Sequence, residues 1–142
     1  MSALRELIER AFKTVETMDV KATVALFADD GVLFDPHYPT PKMVGKAAIA
    51  DGLTWGFGAM SKMSFPIVNY FEAEGGASAA IEVATAHVLK SGMKLNFPQM
   101  FVIETRDGLV TRMQAYEPYG PEGIVSVILG LTRLQRKLTG KG

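Results

Sequence analysis

A few side chains in this sequence are of types that could hold or move a proton inside an apolar setting. They are the carboxylate of Asp35 with His37 two residues on, the amides of Gln99 and Gln114, the guanidinium of Arg112 and the phenol of Tyr116. Asp35 closes the apolar run Val32-Leu33-Phe34 and is followed by Pro36, which stops any strand ladder. A carboxylate at a strand end beside a pocket sheds water, and its pKa rises towards neutrality. It can then act as a general base. The same arrangement also allows a plain loop cap, in which Asp35 accepts the backbone N–H groups of residues 37 to 38. Both roles are open at this level. His37 reads either as a proton relay for Asp35 or as an exposed loop histidine beside prolines.

The other candidates sit in regions with strand alternation. From Leu95 to Glu104, one side carries Leu95, Phe97, Gln99, Phe101 and Ile103, the more apolar set and the expected concave face. From Leu109 to Glu117, Val110, Arg112, Gln114 and Tyr116 share one side, and Thr111, Met113, Ala115 and Glu117 the other. Gln99 and Gln114 can donate to a developing oxyanion, and Tyr116 can either do the same or pack with its hydroxyl reaching water. Arg112 fits a substrate carboxylate or phenolate, or a structural ion pair. If its partner were Asp35, it would lower that carboxylate's pKa and weaken it as a base. Trp55, Phe57, Met60 and Met63 could roof an aromatic ligand or simply pack. His87 lies among Val83, Thr85 and Leu89, on a side that alternation does not settle, and reads as a core or interface histidine.

The elements that must position these groups follow from periodicity. Leu4, Leu7, Ile8, Ala11, Phe12 and Val15 make the inner side of a first helix, with Ser2 as N-cap. Asp19 caps a shorter helix running to about Ala28. The strand carrying Asp35 follows, then a loop with Pro36, Pro39 and Pro41, and a helix opened by Gly45 that runs towards Trp55. Four strands come next, Met63–Phe71, Ala79–Leu89, Leu95–Glu104 and Leu109–Glu117, joined by Gly-rich tight turns. Pro66 and Pro98 imply edges or bulges. A last helix is expected over about 121–139, starting at Pro121, with Ile124, Val127, Ile128, Leu131, Leu134 and Leu138 on one side. Helices followed by a strand meander define an α+β domain, with a curved antiparallel sheet around a helix and a cone-shaped cavity between them.

Composition removes several function classes. The 142 residues make one domain, with 15 acidic and 15 basic residues and no long single-sign run, so nucleic acid is not an expected partner. There is no cysteine, which excludes disulfides, thiolate zinc sites and cysteine nucleophiles. The N-terminus is too charged for a signal peptide, and the longest apolar stretch, Gly123–Leu131, is too short to span a bilayer. A cytoplasmic protein with no membrane partner is the expectation. Two distant histidines make a metal site improbable, although Asp35-x-His37 could hold one weakly. Gly56-x-Gly58 follows a helix and is no dinucleotide fingerprint.

The stretch Asp19-Val-Lys-Ala-Thr-Val-Ala-Leu-Phe-Ala-Asp-Asp-Gly-Val-Leu-Phe-Asp35-Pro36, with Gly45-Lys-Ala-Ala-Ile49 downstream, resembles the ketosteroid isomerase and SnoaL-like polyketide cyclase branch of the NTF2-like (cystatin-like) fold. The order of elements resembles that fold to about Tyr119. The resemblance implies a cone-shaped α+β barrel, a general-base role for Asp35, and the Arg112, Gln114 and Tyr116 side turned into the cavity. The isomerases' oxyanion partners, a first-helix tyrosine and a protonated sheet aspartate, fall here near Ala11 or Phe12 and near Gln99. Neither is matched.

Two functional classes are therefore expected. One is a cofactor-independent isomerase or cyclase in which Asp35 abstracts a proton next to a carbonyl of an apolar cyclic substrate. Gln99, Tyr116 or Arg112 would steady the enolate, and His37, Trp55, Phe57, Phe101 and Gln114 would line the substrate site. The other is a non-catalytic domain that binds an apolar ligand or a protein through the same cup. A homodimer through the outer side of the sheet is expected, with Val102, Met113 and Ala115 on that side. The final helix is expected to lid the cavity or cross the dimer.

Overall fold

The computed structural model describes residues 1–116 and 124–140, the side chains at 124–126, 128 and 129 excepted. The chain runs α1 (Ala3–Glu16), α2 (Val20–Ala25), β1 (Phe27–Phe34), β2 (Lys42–Val44), α3 (Lys46–Ala59) and β3 (Met60–Lys62). It continues through β4 (Ile67–Glu72), β5 (Ser78–Leu89), β6 (Lys94–Arg106), β7 (Leu109–Tyr116) and α4 (Ile124–Leu138). Both expected caps form. Ser2 accepts the Arg5 N–H at 3.1 Å, and Asp19 accepts that of Ala22 at 2.9 Å.

The strands form one unclosed sheet in the order β2-β1-β7-β6-β5-β3, with β4 also paired to β5. The sheet is mixed rather than wholly antiparallel. The long β1-to-β7 connection lets β1 lie parallel to β7, while the tight turns between β5, β6 and β7 keep those strands antiparallel. Two short strands, β2 and β3, were too brief to show a period. Pro66 precedes β4 and so delays its start to Ile67. Pro98 lies within β6 where β5 pairs with it, just before the β7 pairing begins at Met100, an open edge that tolerates a missing donor.

The concave face closes on α1. Leu4, Leu7, Ile8, Ala11, Phe12 and Val15 are all buried, as their spacing predicts. Phe12 packs against Phe65 and Phe101, with ring centroids 5.5 and 5.2 Å apart. Ile103 of β6 and Ile81 and Val83 of β5 are fully buried beside them. The α4 helix starts at Ile124 in the described residues, and the expected start at Pro121 lies outside them. Its Val127, Leu131, Leu134 and Leu138 are exposed.

One irregularity decides which side chains reach the cavity. Glu104 pairs with Arg112, yet the next residue, Thr105, pairs with Val110, so β7 carries one extra residue at Thr111. An inserted residue reverses the alternation beyond it. Val110 is buried, and past the bulge it is Met113 and Ala115 that are buried, while Arg112 and Gln114 are half-buried and Tyr116 is exposed.

Candidate functional site

Between α1, α3 and the concave face of the sheet lies a cavity of about 610 Å³, within the size range of small-molecule sites. Its wall is mostly apolar, from Phe12, Phe27, Leu53, Met63, Leu95, Phe97 and Phe101 among others. Thr23, Asp35, His37, Tyr38, His87 and Gln99 supply the main polar groups.

Asp35 stands one residue past β1, where its backbone N–H donates to Pro41 across the loop at 3.0 Å. Its side chain is 15% exposed. One carboxylate oxygen, Oδ1, accepts the His37 N–H at 3.0 Å and lies 3.7 Å from His37 Nδ1. The other oxygen has no protein donor among the described residues. One oxygen is therefore tied into the loop, and the other is left without a bond on a residue that lines the cavity. Burial pushes the Asp35 pKa above its ordinary value, and the His37 N–H and ring oppose that rise only in part. Among the described residues, no lysine or arginine is paired with it.

Tyr38, which follows His37 in the sequence and had no role from spacing alone, lines the cavity. Its hydroxyl sits over Gly56 of α3, where an added Cβ would come within 2.9 Å of it, and its ring lies 5.9 Å from that of Trp55. Gly52 and Gly56, one turn apart, leave the groove that admits Met43 and Tyr38. That glycine pair was the available signal. Burial, and the neighbouring Asp35 charge, push the Tyr38 pKa well up, so it is a neutral hydrogen-bonding group.

On the sheet, β6 keeps its alternation, and Leu95, Phe97, Gln99 and Phe101 all line the cavity. Gln99 is buried, and its carbonyl oxygen accepts the Thr85 hydroxyl at 2.9 Å. No other protein group bonds to Gln99 among the described residues, which leaves its NH₂ for a guest. His87 of β5 also faces inward, between Phe65 and Phe97.

Several expected lining residues stand elsewhere. Arg112, Gln114 and Tyr116 do not line the cavity, because the β7 bulge turns their side of the strand outward. Arg112 instead donates to Glu104 and to Gln114, each at 2.7 Å, which holds the Glu104 pKa down. The same reversal buries Met113 and Ala115, so they do not belong to the outer face that was expected to dimerise. Phe57 is a buried core residue rather than a lining one. Trp55 stays on the cavity rim, half in water, and His37 is at the mouth, where its ring meets Phe97 at 6.2 Å.

A cone of helix and bent sheet around an apolar cavity, with a near-buried acid at a strand end, places the chain in the NTF2-like, ketosteroid isomerase-like class. Within it, the chain belongs to the SnoaL-like domain family, which it matches over residues 8–113. No curated protein matches it. Among solved structures it is similar to the Δ5-3-ketosteroid isomerase from Mycobacterium sp., with 20% identity, 82% of this chain and 93% of that one covered, and a TM-score of 0.73. It is also similar to a Mycobacterium tuberculosis protein in complex with estradiol-17β-hemisuccinate (19% identity, 82% and 94% covered, TM-score 0.72). A computationally designed 17-OHP binder is another structural neighbour (17% identity, 82% and 93% covered, TM-score 0.73).

Proposed function

We propose that this protein is a cofactor-independent enzyme of the isomerase or cyclase type, in which Asp35 takes a proton from the carbon next to a carbonyl of an apolar, cyclic substrate. The observation that carries this reading is a desolvated carboxylate with one unbonded oxygen on the wall of an oily cavity. Desolvation raises basicity where a water-exposed aspartate would be too weak a base, and the oily wall excludes competing water. The Gln99 NH₂ is the donor best placed to steady the enolate oxygen, and the neutral Tyr38 hydroxyl is a second polar group on the same cavity. Arg112, Gln114 and Tyr116 have no part in this reading. One structural neighbour is in complex with estradiol-17β-hemisuccinate and another is a designed 17-OHP binder, which supports an apolar ring system as the guest.

The test is Asp35→Asn, assayed on any cyclic ketone that the wild type turns over or whose α-proton it exchanges with solvent. The expected result is a loss of about 10²–10⁴-fold in rate with ligand affinity kept. Unchanged turnover would remove Asp35 as the base. The bond from His37 N–H to Asp35 supports a second reading, a binding cup without chemistry, since it is what a loop cap requires. On that reading, apolar ligands bind and no α-proton exchanges.

A further inference from the structure

His87 is a buried titratable side chain on the cavity wall that the proton-transfer step does not use. Its ring is held on three sides. Phe65 meets it edge-on at 4.7 Å and Phe97 at 6.4 Å, and Nδ1 accepts the Ser64 backbone N–H at 3.2 Å. Ser64 belongs to the segment between β3 and β4, whose next N–H, that of Phe65, is held by Glu16 at 2.8 Å. An Nδ1 that accepts a hydrogen bond carries no proton, so in the neutral ring the proton sits on Nε2. The nearby Ala86 carbonyl and Glu16 favour a charged ring, but burial outweighs them and pushes the pKa down. The Ala86 backbone carbonyl bonds the charged ring; in the neutral ring, with Nδ1 taken by the Ser64 N–H, no side chain among the described residues bonds Nε2, and Nε2 is not one of their enclosed, unsatisfied atoms. An Nε2–H without a side-chain acceptor, kept at the surface of an apolar cavity, is a donor open to a guest.

We infer that His87 is a ligand-binding residue: its Nε2–H selects, among apolar ring compounds, those that carry an acceptor oxygen such as a ketone or quinone carbonyl. The warrant is the cost of a mismatch. A hydrocarbon entering the cavity strips water from Nε2–H and gives nothing back, whereas a carbonyl replaces the lost hydrogen bond. Edge-on contacts with Phe65 and Phe97 and the Ser64 bond to Nδ1 fix the ring plane, so the direction of the bond is set before the ligand arrives. The inference goes beyond the proton-transfer reading and holds whether or not Asp35 is a base.

A matched pair of probes isolates this bond. 2-Acetylnaphthalene and 2-ethylnaphthalene have nearly the same shape and differ in one carbonyl oxygen. Wild-type protein should bind the ketone more tightly, and His87→Phe should weaken the ketone about tenfold while moving the hydrocarbon less than about twofold. Because the substitution also removes the acceptor for Ser64, ¹⁵N spectra of the histidines in the unaltered protein provide a second readout. The chain has two histidines, which keeps assignment simple. The spectra should show His87 protonated on Nε2, with that resonance shifting on addition of the ketone but not of the hydrocarbon. Equal affinity of the wild type for both probes, a His87 proton on Nδ1, or a ketone preference that survives His87→Phe would each overturn the inference. The probes are read by binding alone and the proton-transfer reading by turnover of Asp35→Asn, so failure of one is seen separately from failure of the other.

Discussion

Two adjacent strands of the same sheet treat their polar side chains in opposite ways. On β6, Gln99 points into the cavity, is buried, and among the described residues is hydrogen-bonded to Thr85 alone, at 2.9 Å. On β7, Arg112 and Gln114 point away and form a half-exposed network with Glu104 through bonds of 2.7 Å. Bond length alone would rank the β7 network as the stronger. Environment reverses that ranking, because water competes more for the half-exposed outer groups than for the buried Thr85–Gln99 pair. Gln99 follows the unbroken alternation of β6, whereas one extra residue at Thr111 turns Arg112 and Gln114 outward on β7. Which polar groups face the cavity and which face outward is therefore set by strand register more than by residue type.

The largest effect that would sharpen this contrast is on catalysis. Asp35→Asn should cost about 10²–10⁴-fold in turnover, while Arg112→Met should leave the rate within about twofold. A comparable loss from Arg112→Met would return the guanidinium to the site. Next in size is a packing test of the groove behind Asp35. Gly56→Val drives a side chain into Tyr38 and should cost about 1–3 kcal/mol in chemical denaturation while weakening apolar ligands.

Hydrogen bonds on the two walls make a closer comparison. Thr85→Val leaves the buried Gln99 oxygen without a donor and should destabilise by about 1–3 kcal/mol. Arg112→Met, on the outer wall, should cost no more than about 1 kcal/mol, since side chains about a third to a half exposed are screened by water. Urea titrations of the two variants that came out in the reverse order would break the comparison.

The smallest expected effect is a pH-dependent stability. Asp35 binds its proton more tightly in the folded chain than in the unfolded one, so the ionised form costs stability once the pH rises through its folded pKa. That cost is absent below the ordinary value of 3.8, where the group is protonated in both states. Asp35→Asn should thus raise the thermal midpoint at neutral pH, and the gain should fade on acidification.

Much of this could be read from residue types and spacing, because local rules governed those parts. The inner side of α1, the caps at Ser2 and Asp19, and the delivery of Asp35 by an apolar strand all depend on near neighbours in the chain. The inward face of β6 was legible too, since no bulge interrupts Leu95 to Ile103. Arg112, Gln114 and Tyr116 went the wrong way because a bulge depends on the pairing partner, which a strand's own pattern does not record. The inward side of His87 was unreadable because β5 carries small and apolar residues on both sides, from Ala79 to Leu89. Tyr38 was hidden in a loop, where no period applies, and only the Gly52 and Gly56 pair pointed to it.

The account rests on Asp35 being an acid held out of water beside the cavity. A ¹³C NMR titration of its carboxyl carbon, with Asp35→Asn to assign the signal, measures this most directly. The midpoint should lie clearly above 3.8 and move when an apolar ligand fills the cavity. A midpoint at or below 3.8 that a bound ligand leaves unmoved would show a solvated loop cap and contradict the account.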